Sequence, residues 1–147
     1  MKHIKQILLL CSILWCTGCS QETTSVSKHD EIIVLSHDYL EIKEYELSWE
    51  EIFGVDQVSY YVYFYSQTCD YCIELKNYII EKALERGDIY FIRASKSDQL
   101  TNDPKKAIGA GIPGDIWILG YPTLLKIHNK ICTKNLAGIN EIKGELN

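Results

Sequence analysis

The chain has 147 residues, of which 15 are Lys or Arg and 20 are Asp or Glu, so its formal charge is −5 at pH 7. This acidic balance excludes charge-driven binding to nucleic acids or to anionic lipid headgroups, because like charges repel. With 46% hydrophobic residues, the chain is long enough to bury the core of one domain without a framework of disulfide bonds.

The first 18 residues have the pattern of a secretory signal peptide. A basic start with two lysines precedes an apolar stretch at 7–15 that is too short to span a membrane. It is followed by Cys-Thr-Gly-Cys at 16–19, which resembles the lipobox of bacterial lipoproteins. The resemblance implies that Cys19 carries a lipid and becomes the new N-terminus. An ordinary signal peptide, cut near Gly18 without lipidation, is the alternative.

Removal of the signal peptide would leave 129 residues and a more acidic chain. Two of the 15 basic residues and none of the 20 acidic residues lie in it, so the formal charge becomes −7. Residues 19–30 are mostly polar and predict a flexible tether, and residues 31–147 are expected to form a single domain. Attachment to the membrane would depend on the lipid alone.

The first part of the domain is predicted to contain short elements before a central strand. Short strands are predicted at 32–35 and 39–45, and a short helix at 47–53 with Ser48 as its N-terminal cap. Residues 58–65 are almost all apolar or aromatic and carry no charge. This composition favours a central strand that is covered on both faces.

A long helix and another strand follow. Residues 70–86 have apolar side chains at helical spacing, and Gly87 after them is typical of a helix end. Residues 88–94 form the next predicted strand. The strand, helix and strand together predict a βαβ unit with a parallel, right-handed crossover.

Two cysteines, Cys69 and Cys72, lie where this helix begins, in the sequence SYYVYFYSQTCDYC at 59–72. At this spacing they lie on the same side of one helical turn, close enough to form a disulfide bond. Unpaired backbone N–H groups and the positive end of the helix dipole stabilise a thiolate on Cys69. Cys69 would therefore be the nucleophile, and the more buried Cys72 would resolve the mixed disulfide. A permanent structural disulfide or an inert scaffold is the alternative.

The cysteine pair and the later sequence Gly-Tyr-Pro-Thr at 120–123 resemble the thioredoxin-like superfamily. The resemblance covers roughly 47–147, and it is strongest to surface lipoproteins and bacteriocin transport accessory-type thioredoxins of Gram-positive bacteria. It implies an α/β thioredoxin fold, in which helices flank a central mixed β-sheet. The implied final elements are strands at 124–128 and 131–136 and a helix at 139–146.

The resemblance also implies roles for particular residues. The peptide bond before Pro122 is expected to be cis, with Pro122 against the cysteine pair and Tyr121 in contact with substrate. Thioredoxins carry a buried aspartate six residues before the first cysteine, which helps to take a proton from the second; here that position is Tyr63. A tyrosine, with an ordinary pKa of about 10, is no carboxylate base at neutral pH. Asp70 disfavours negative charge on Cys69 and so favours a reducing pair.

Other residues with chemical potential are given structural interpretations. Cys132 is predicted to be a buried core thiol, and the tyrosines within 60–65 are predicted to pack in the sheet. The cysteine pair has zinc-like spacing together with His128 and Cys132. However, the strand at 124–128 would carry His128 about 20 Å from the pair, so no metal is expected. The loop at 109–114 is expected to form part of a partner-binding rim.

The sequence therefore predicts a thiol-disulfide oxidoreductase, lipid-anchored on the extracytoplasmic face of the cell membrane, with no metal or organic cofactor. Its expected partners are exported proteins with thiols or disulfides and a protein that recycles the cysteine pair. Reduction of substrates is favoured over oxidation. The alternative function is that of a non-catalytic thioredoxin-fold accessory module, for example in bacteriocin export or immunity.

Overall fold

The structure of the protein, a computed structural model, describes residues 36–147. The predicted signal peptide, the lipidation site Cys19, the tether at 19–30 and the strand at 32–35 lie outside the described residues and stay predictions. None of the helices within 36–147 combines the length and the apolar character that a membrane-spanning segment requires.

The described chain forms one four-stranded sheet with two α-helices. The elements are β1 (Ser59–Tyr65), α1 (Asp70–Arg86), β2 (Ile89–Arg93), β3 (Thr123–His128), β4 (Ile131–Ala137) and α2 (Ile139–Leu146). The strand order is β2-β1-β3-β4. Strands β1 and β2 are parallel and joined through α1, whereas β3 is antiparallel to both β1 and β4.

This arrangement is the βαβ–ββα order of the thioredoxin-like fold. The parallel pair with its crossover helix is followed by a hairpin and a final helix, and the whole is one α/β domain. The predicted fold class is therefore confirmed. The predicted bounds of α1 and α2 are also confirmed, and the four predicted strands from residue 58 onwards differ from the observed ones by one residue at one end or, for β2, at both ends.

Helix α1 begins and ends where its local sequence favours. Cys69 has an extended backbone and acts as the N-cap, and Gly87 at the C-cap has a left-handed backbone with φ 69°. The Gly87 N–H donates to the Ala83 carbonyl at 2.8 Å, which closes the last turn. Glycine adopts this φ without the steric penalty that a Cβ atom would bring.

Strand β1 is buried on both of its faces, as its uncharged sequence predicted. One face packs against α1 and α2 through Tyr61, Tyr63 and Tyr65. The alternate residues Tyr60, Val62 and Phe64 pack on the other side of the sheet. That second core contains Cys132, which is fully buried as predicted.

The segment at 39–45 is not a strand, and that prediction was wrong. It is a 3-10 helix, Tyr39–Tyr45, which begins with a capping box. The Leu40 N–H donates to Asp38 Oδ1 at 2.9 Å, and the Asp38 N–H donates to Glu41 Oε1 at 2.6 Å. These side-chain hydrogen bonds satisfy the backbone locally, so the segment does not need a neighbouring strand. Only a single bridge to β2 forms, between Glu46 and Phe91.

The helix predicted at 47–53 is shorter than expected. Only Trp49–Glu51 forms a 3-10 turn, with Ser48 as its N-cap. The Ser48 N–H donates to Glu51 Oε2 at 2.7 Å, and the chain turns again at Gly54. The cap was predicted correctly, but the turn that it begins does not extend.

Candidate active site

Cys69 lies at the carboxyl end of β1, at the junction with α1. Its N–H donates to the Ser66 carbonyl at 3.3 Å, which holds the short turn between strand and helix. The side chain is half-buried, and its Sγ accepts the backbone N–H of Cys72 at 3.4 Å. A sulfur that caps a helix in this way meets an N–H donor and the positive helix end, both of which favour a thiolate.

Cys72 lies one turn further along α1 and faces the core. It is fully buried, and both cysteines of the pair are free thiols. Burial raises the pKa of Cys72 to about 12. The accessible sulfur of the pair is therefore Cys69, and Cys72 is the more buried one, as their helix positions predicted. Their roles as nucleophile and resolving thiol stay predictions.

The segment before β3 lies at the same end of the sheet as Cys69, because Thr123 at the start of β3 pairs with Phe64 near the end of β1. The Tyr121–Pro122 peptide bond is cis, as the resemblance implied, and Pro122 is buried. Cys69 Sγ donates to the Tyr121 carbonyl oxygen at 3.3 Å. The structure therefore brings the two cysteines and the Tyr121–Pro122 bond together. The substrate-contacting role of Tyr121 and Pro122 stays a prediction.

Asp98 belongs to this site, and no motif in the sequence predicts it. It lies in the loop after β2, where its Oδ2 accepts the Ser95 N–H at 3.0 Å. The same carboxylate accepts the hydroxyl of Tyr121. Burial and this hydrogen bond raise the pKa of Tyr121. Asp98 thus holds the side chain of the residue whose backbone carbonyl contacts Cys69, through a contact that depends on the path of an irregular loop.

The tyrosines of β1 pack in the sheet as predicted, and Tyr63 is fully buried behind the cysteine pair. Its position matches that of the thioredoxin aspartate, so no carboxylate occupies this place. Burial raises the pKa of Tyr63, and interaction with Cys72 raises it further. The phenol therefore keeps its proton at neutral pH and does not act as a base.

The far end of the sheet holds the residues of the zinc alternative. His128 pairs with Ser59 at the start of β1, whereas Thr123, next to Pro122, pairs with Phe64 near its end. His128 is thus separated from Cys69 by the length of the strand, about 20 Å. Within residues 36–147 there is no group of three or more His, Cys, Asp or Glu side chains placed to hold a metal ion.

The first half of the glycine-rich loop lies at this far end too, whereas its second half reaches the loop after β2, where Gln99 Nε2 donates to the Gly114 carbonyl at 3.2 Å. Its part in a partner-binding rim stays a prediction. The Gly109 N–H donates to the Cys132 carbonyl, and the Cys132 N–H donates to the Ala110 carbonyl, both at 2.8 Å. A Cβ at Gly111 would meet Ile131 at 3.0 Å. Residues 109–111 therefore pack against the start of β4. The surface beside the cysteines includes the exposed Tyr71 and Ile73 of α1.

Comparison with known proteins adds only distant likenesses. No family model matches the chain, and no curated protein matches its sequence. Among solved structures, the chain is similar to thioredoxin f2 of Chlamydomonas reinhardtii, with 20% identity over 69% of this chain and 92% of that one and a TM-score of 0.47. Oxidised thioredoxin O2 of Arabidopsis thaliana matches with 13% identity over 60% and 70% of the two chains and a TM-score of 0.36.

Proposed function

We propose that the protein is a thiol-disulfide oxidoreductase that acts on exported proteins through Cys69 and Cys72. The observation that carries the proposal is the asymmetry of the pair. Cys69 is accessible, accepts a helix N–H and touches the Tyr121 carbonyl, whereas Cys72 is buried one turn away. An exposed attacking thiol next to a shielded resolving thiol is the arrangement that disulfide exchange requires.

In the reductive direction, the Cys69 thiolate attacks one sulfur of a substrate disulfide. The substrate S–S bond breaks, a mixed disulfide forms at Cys69, and the other substrate sulfur leaves as a thiolate. Cys72 then loses its proton to water and attacks Cys69 Sγ. The substrate sulfur that was bound to Cys69 leaves as a thiolate. The substrate has then gained two electrons, and the cysteine pair has become a disulfide. A dithiol partner must reduce the pair again.

Two features favour the reductive direction. In the reduced pair, Cys72 is a neutral thiol at neutral pH, because burial raises its pKa to about 12. In addition, the exposed Asp70 carboxylate follows Cys69 directly and opposes a negative sulfur there. Strong oxidants are strong because their reduced form is stabilised. A pair in which only one sulfur is stabilised as a thiolate holds its disulfide more firmly and gives up electrons more readily than such an oxidant.

Substrate would bind across Cys69 and the Tyr121–Pro122 segment. The Tyr121 carbonyl already accepts from Cys69 Sγ, so an extended peptide that approaches the sulfur must pass beside this backbone. The expected partners are therefore unfolded or flexible segments that expose a cysteine. The proposal includes a lipid on Cys19, which would hold the domain on the extracytoplasmic face of the membrane.

The deciding experiment is the reduction potential of the Cys69–Cys72 couple, measured in the full chain by equilibration with glutathione or dithiothreitol. A value near about −270 mV supports a reductase, and one near about −120 mV supports an oxidase. Cys132→Ser is the matched control and is expected to leave the potential unchanged. A pair that never cycles would contradict the proposal and would favour the non-catalytic accessory module.

The anchoring is tested separately. The chain is expressed with its own N-terminus in a bacterial host that has the lipoprotein pathway, and labelled fatty acid is followed into the protein. Labelling and recovery in the membrane fraction are expected for the natural chain and are expected to be lost in Cys19→Ala. Labelling that persists in Cys19→Ala would contradict the proposed lipidation site.

A further inference from the structure

Three tyrosines on the helix-facing side of β1 differ in what their hydroxyls do. The Tyr61 hydroxyl donates to Glu145 Oε1 at 3.0 Å, and the Tyr65 hydroxyl donates to Glu46 Oε1 at 2.9 Å. Tyr63 lies between them and is fully buried, but its hydroxyl has no hydrogen-bond partner within 36–147. The tyrosine with the unused donor thus shares a core cluster with Cys72.

A second unused donor lies in the same place. Only three buried side-chain polar atoms of the described residues lack a partner, and the Tyr39 hydroxyl is one of them, with the Tyr63 hydroxyl and Asn135 Oδ1. The Tyr39 ring stacks on Tyr65 at 4.0 Å between centroids, and Tyr65 stacks on Tyr63 at 6.3 Å. All three rings share the core cluster of Cys72.

Both unused hydroxyls interact electrostatically with the cysteine pair. Burial raises the pKa of Tyr63 and of Tyr39, and negative charge on Cys72 raises both further. The two phenols therefore stay protonated at any physiological pH. They are permanent donors beside a sulfur that is neutral in the resting dithiol and carries charge only during exchange.

We propose that the Tyr63 hydroxyl, assisted by that of Tyr39, donates a hydrogen bond to Cys72 Sγ when this sulfur is a thiolate. The inference rests on the proposed function, and it names the hydrogen-bond donor that acts on Cys72 during disulfide exchange. In the resolving step, Cys72 gives its proton to water and its sulfur attacks Cys69 Sγ, while Tyr63 keeps its own proton. In the reverse direction, a substrate thiolate attacks Cys69 Sγ, and Cys72 leaves as a thiolate against the same hydroxyl.

The interaction acts on the rate because it differs between the two states of the sulfur. A neutral thiol is a weak acceptor, and in the resting pair the hydroxyl makes no hydrogen bond to it. A thiolate is a charged acceptor, and hydrogen bonds to charged groups are roughly twice as strong as neutral ones. An interaction gained only when charge develops lowers the barrier without stabilising the ground state.

The test follows the resolving step alone in the reduced full-length chain. Oxidised glutathione is added, samples are quenched with acid, and peptides that contain Cys69 and Cys72 are measured by mass spectrometry. The glutathione adduct on Cys69 and the Cys69–Cys72 disulfide differ in mass, so adduct formation and its resolution give separate rates. This readout is not disturbed by the other cysteines of the chain.

Tyr63→Phe is expected to leave adduct formation unchanged and to slow resolution by about tenfold or more, as the loss of a hydrogen bond to a charged group would. Tyr39→Phe is expected to slow resolution by a smaller factor. Tyr65→Phe is the matched control, because its hydroxyl serves Glu46, and resolution is expected to stay at the natural rate.

Stability distinguishes this role from a structural one. Removal of an unpartnered buried hydroxyl costs no native hydrogen bond, so the Tm of Tyr63→Phe is expected to equal or exceed that of the natural chain. Slower resolution in an equally stable variant supports the proposal. Resolution at the natural rate in Tyr63→Phe overturns it. A natural chain that forms neither adduct nor disulfide would instead contradict the proposed function.

Discussion

Cys72 and Cys132 are two buried thiols with the same solvent environment and different neighbours. Both are fully buried, and burial raises the pKa of each to about 12. Cys132 lies at the start of β4 on the other face of the sheet, where its Sγ donates to the Lys134 carbonyl at 3.4 Å. Cys72 instead lies one helical turn from Cys69.

The comparison shows that burial alone does not decide whether a thiol reacts, and that the groups around the thiol do. Cys132 is surrounded by aliphatic and aromatic side chains of the second core, and no other cysteine of the described chain belongs to that core. Cys72 has a second sulfur on the same helix turn and two unused hydroxyls near it. Two thiols with equal acidity are therefore expected to differ completely in exchange.

The largest effect is expected from serine replacement at each thiol. Cys72→Ser leaves the mixed disulfide at Cys69 without its intramolecular resolving thiol, so turnover with insulin as a disulfide substrate should fall by roughly a thousandfold or more. Cys132→Ser should leave turnover unchanged and cost about 1 kcal/mol of stability. Trapped adduct in the first variant and normal kinetics in the second are the measurements. Impaired turnover in a folded Cys132→Ser chain would break the comparison.

A smaller effect, equal at both thiols, is expected in alkaline solution. The pKa of each thiol is raised on folding from its ordinary value of 9.0 to about 12. The folded state therefore holds these protons more tightly, so the stability they contribute is complete below about pH 9 and is lost as the pH rises towards 12. Each thiol should contribute a slope of up to about 1.4 kcal/mol per pH unit.

Urea unfolding of the reduced chain at several pH values between about 8 and 11 measures this slope. Cys72→Ser and Cys132→Ser should each flatten it by a similar amount, although only the first abolishes turnover. The buried tyrosines titrate near pH 10 in the unfolded chain and add to the slope above about that pH, but they are common to all three chains and cancel in the comparison. A flattening seen for one variant only would show that the two thiols are not equally buried when the chain folds.

The regular elements around the site were predictable because local signals agree with the tertiary structure. The uncharged sequence of β1, the apolar spacing of α1 and the glycine after it all favour the same arrangement. The cysteine pair and Pro122 were predictable as a motif. The segment at 39–45 differs from its predicted strand because the capping box at Asp38 begins a 3-10 helix there.

The remaining parts of the site depend on contacts between distant segments. Asp98 meets Tyr121 across 23 positions of mostly irregular chain, and no spacing rule predicts such a contact. The length of the glycine-rich loop predicts a place at the rim, and no spacing rule predicts that the hydrogen bonds of Gly109 and Ala110 to Cys132 hold its first half at the opposite end of the sheet. The unused donor of Tyr63 depends on where neighbouring side chains point, which a single sequence does not specify.

The smallest effect is expected at Tyr121, whose backbone carbonyl contacts Cys69. Tyr121→Phe removes the hydrogen bond to Asp98 but keeps the backbone carbonyl that touches Cys69. The ring becomes free to move, so the KM for insulin should rise by about fivefold, the worth of one ordinary hydrogen bond. The rate with oxidised glutathione should not change, because this small disulfide needs only the sulfur.

Asp98→Asn is the matched control for this prediction. The asparagine oxygen can still accept from the Tyr121 hydroxyl without a charge, so the KM should rise by less than in Tyr121→Phe. The ratio of the insulin rate to the glutathione rate is measured in the natural chain, Tyr121→Phe and Asp98→Asn. It distinguishes an effect on the surface that binds substrate from an effect on the reactivity of the sulfur. If Tyr121→Phe slowed both substrates equally, the hydroxyl would act on Cys69 itself, and the distinction between a reactive sulfur and the surface that presents substrate to it would not hold.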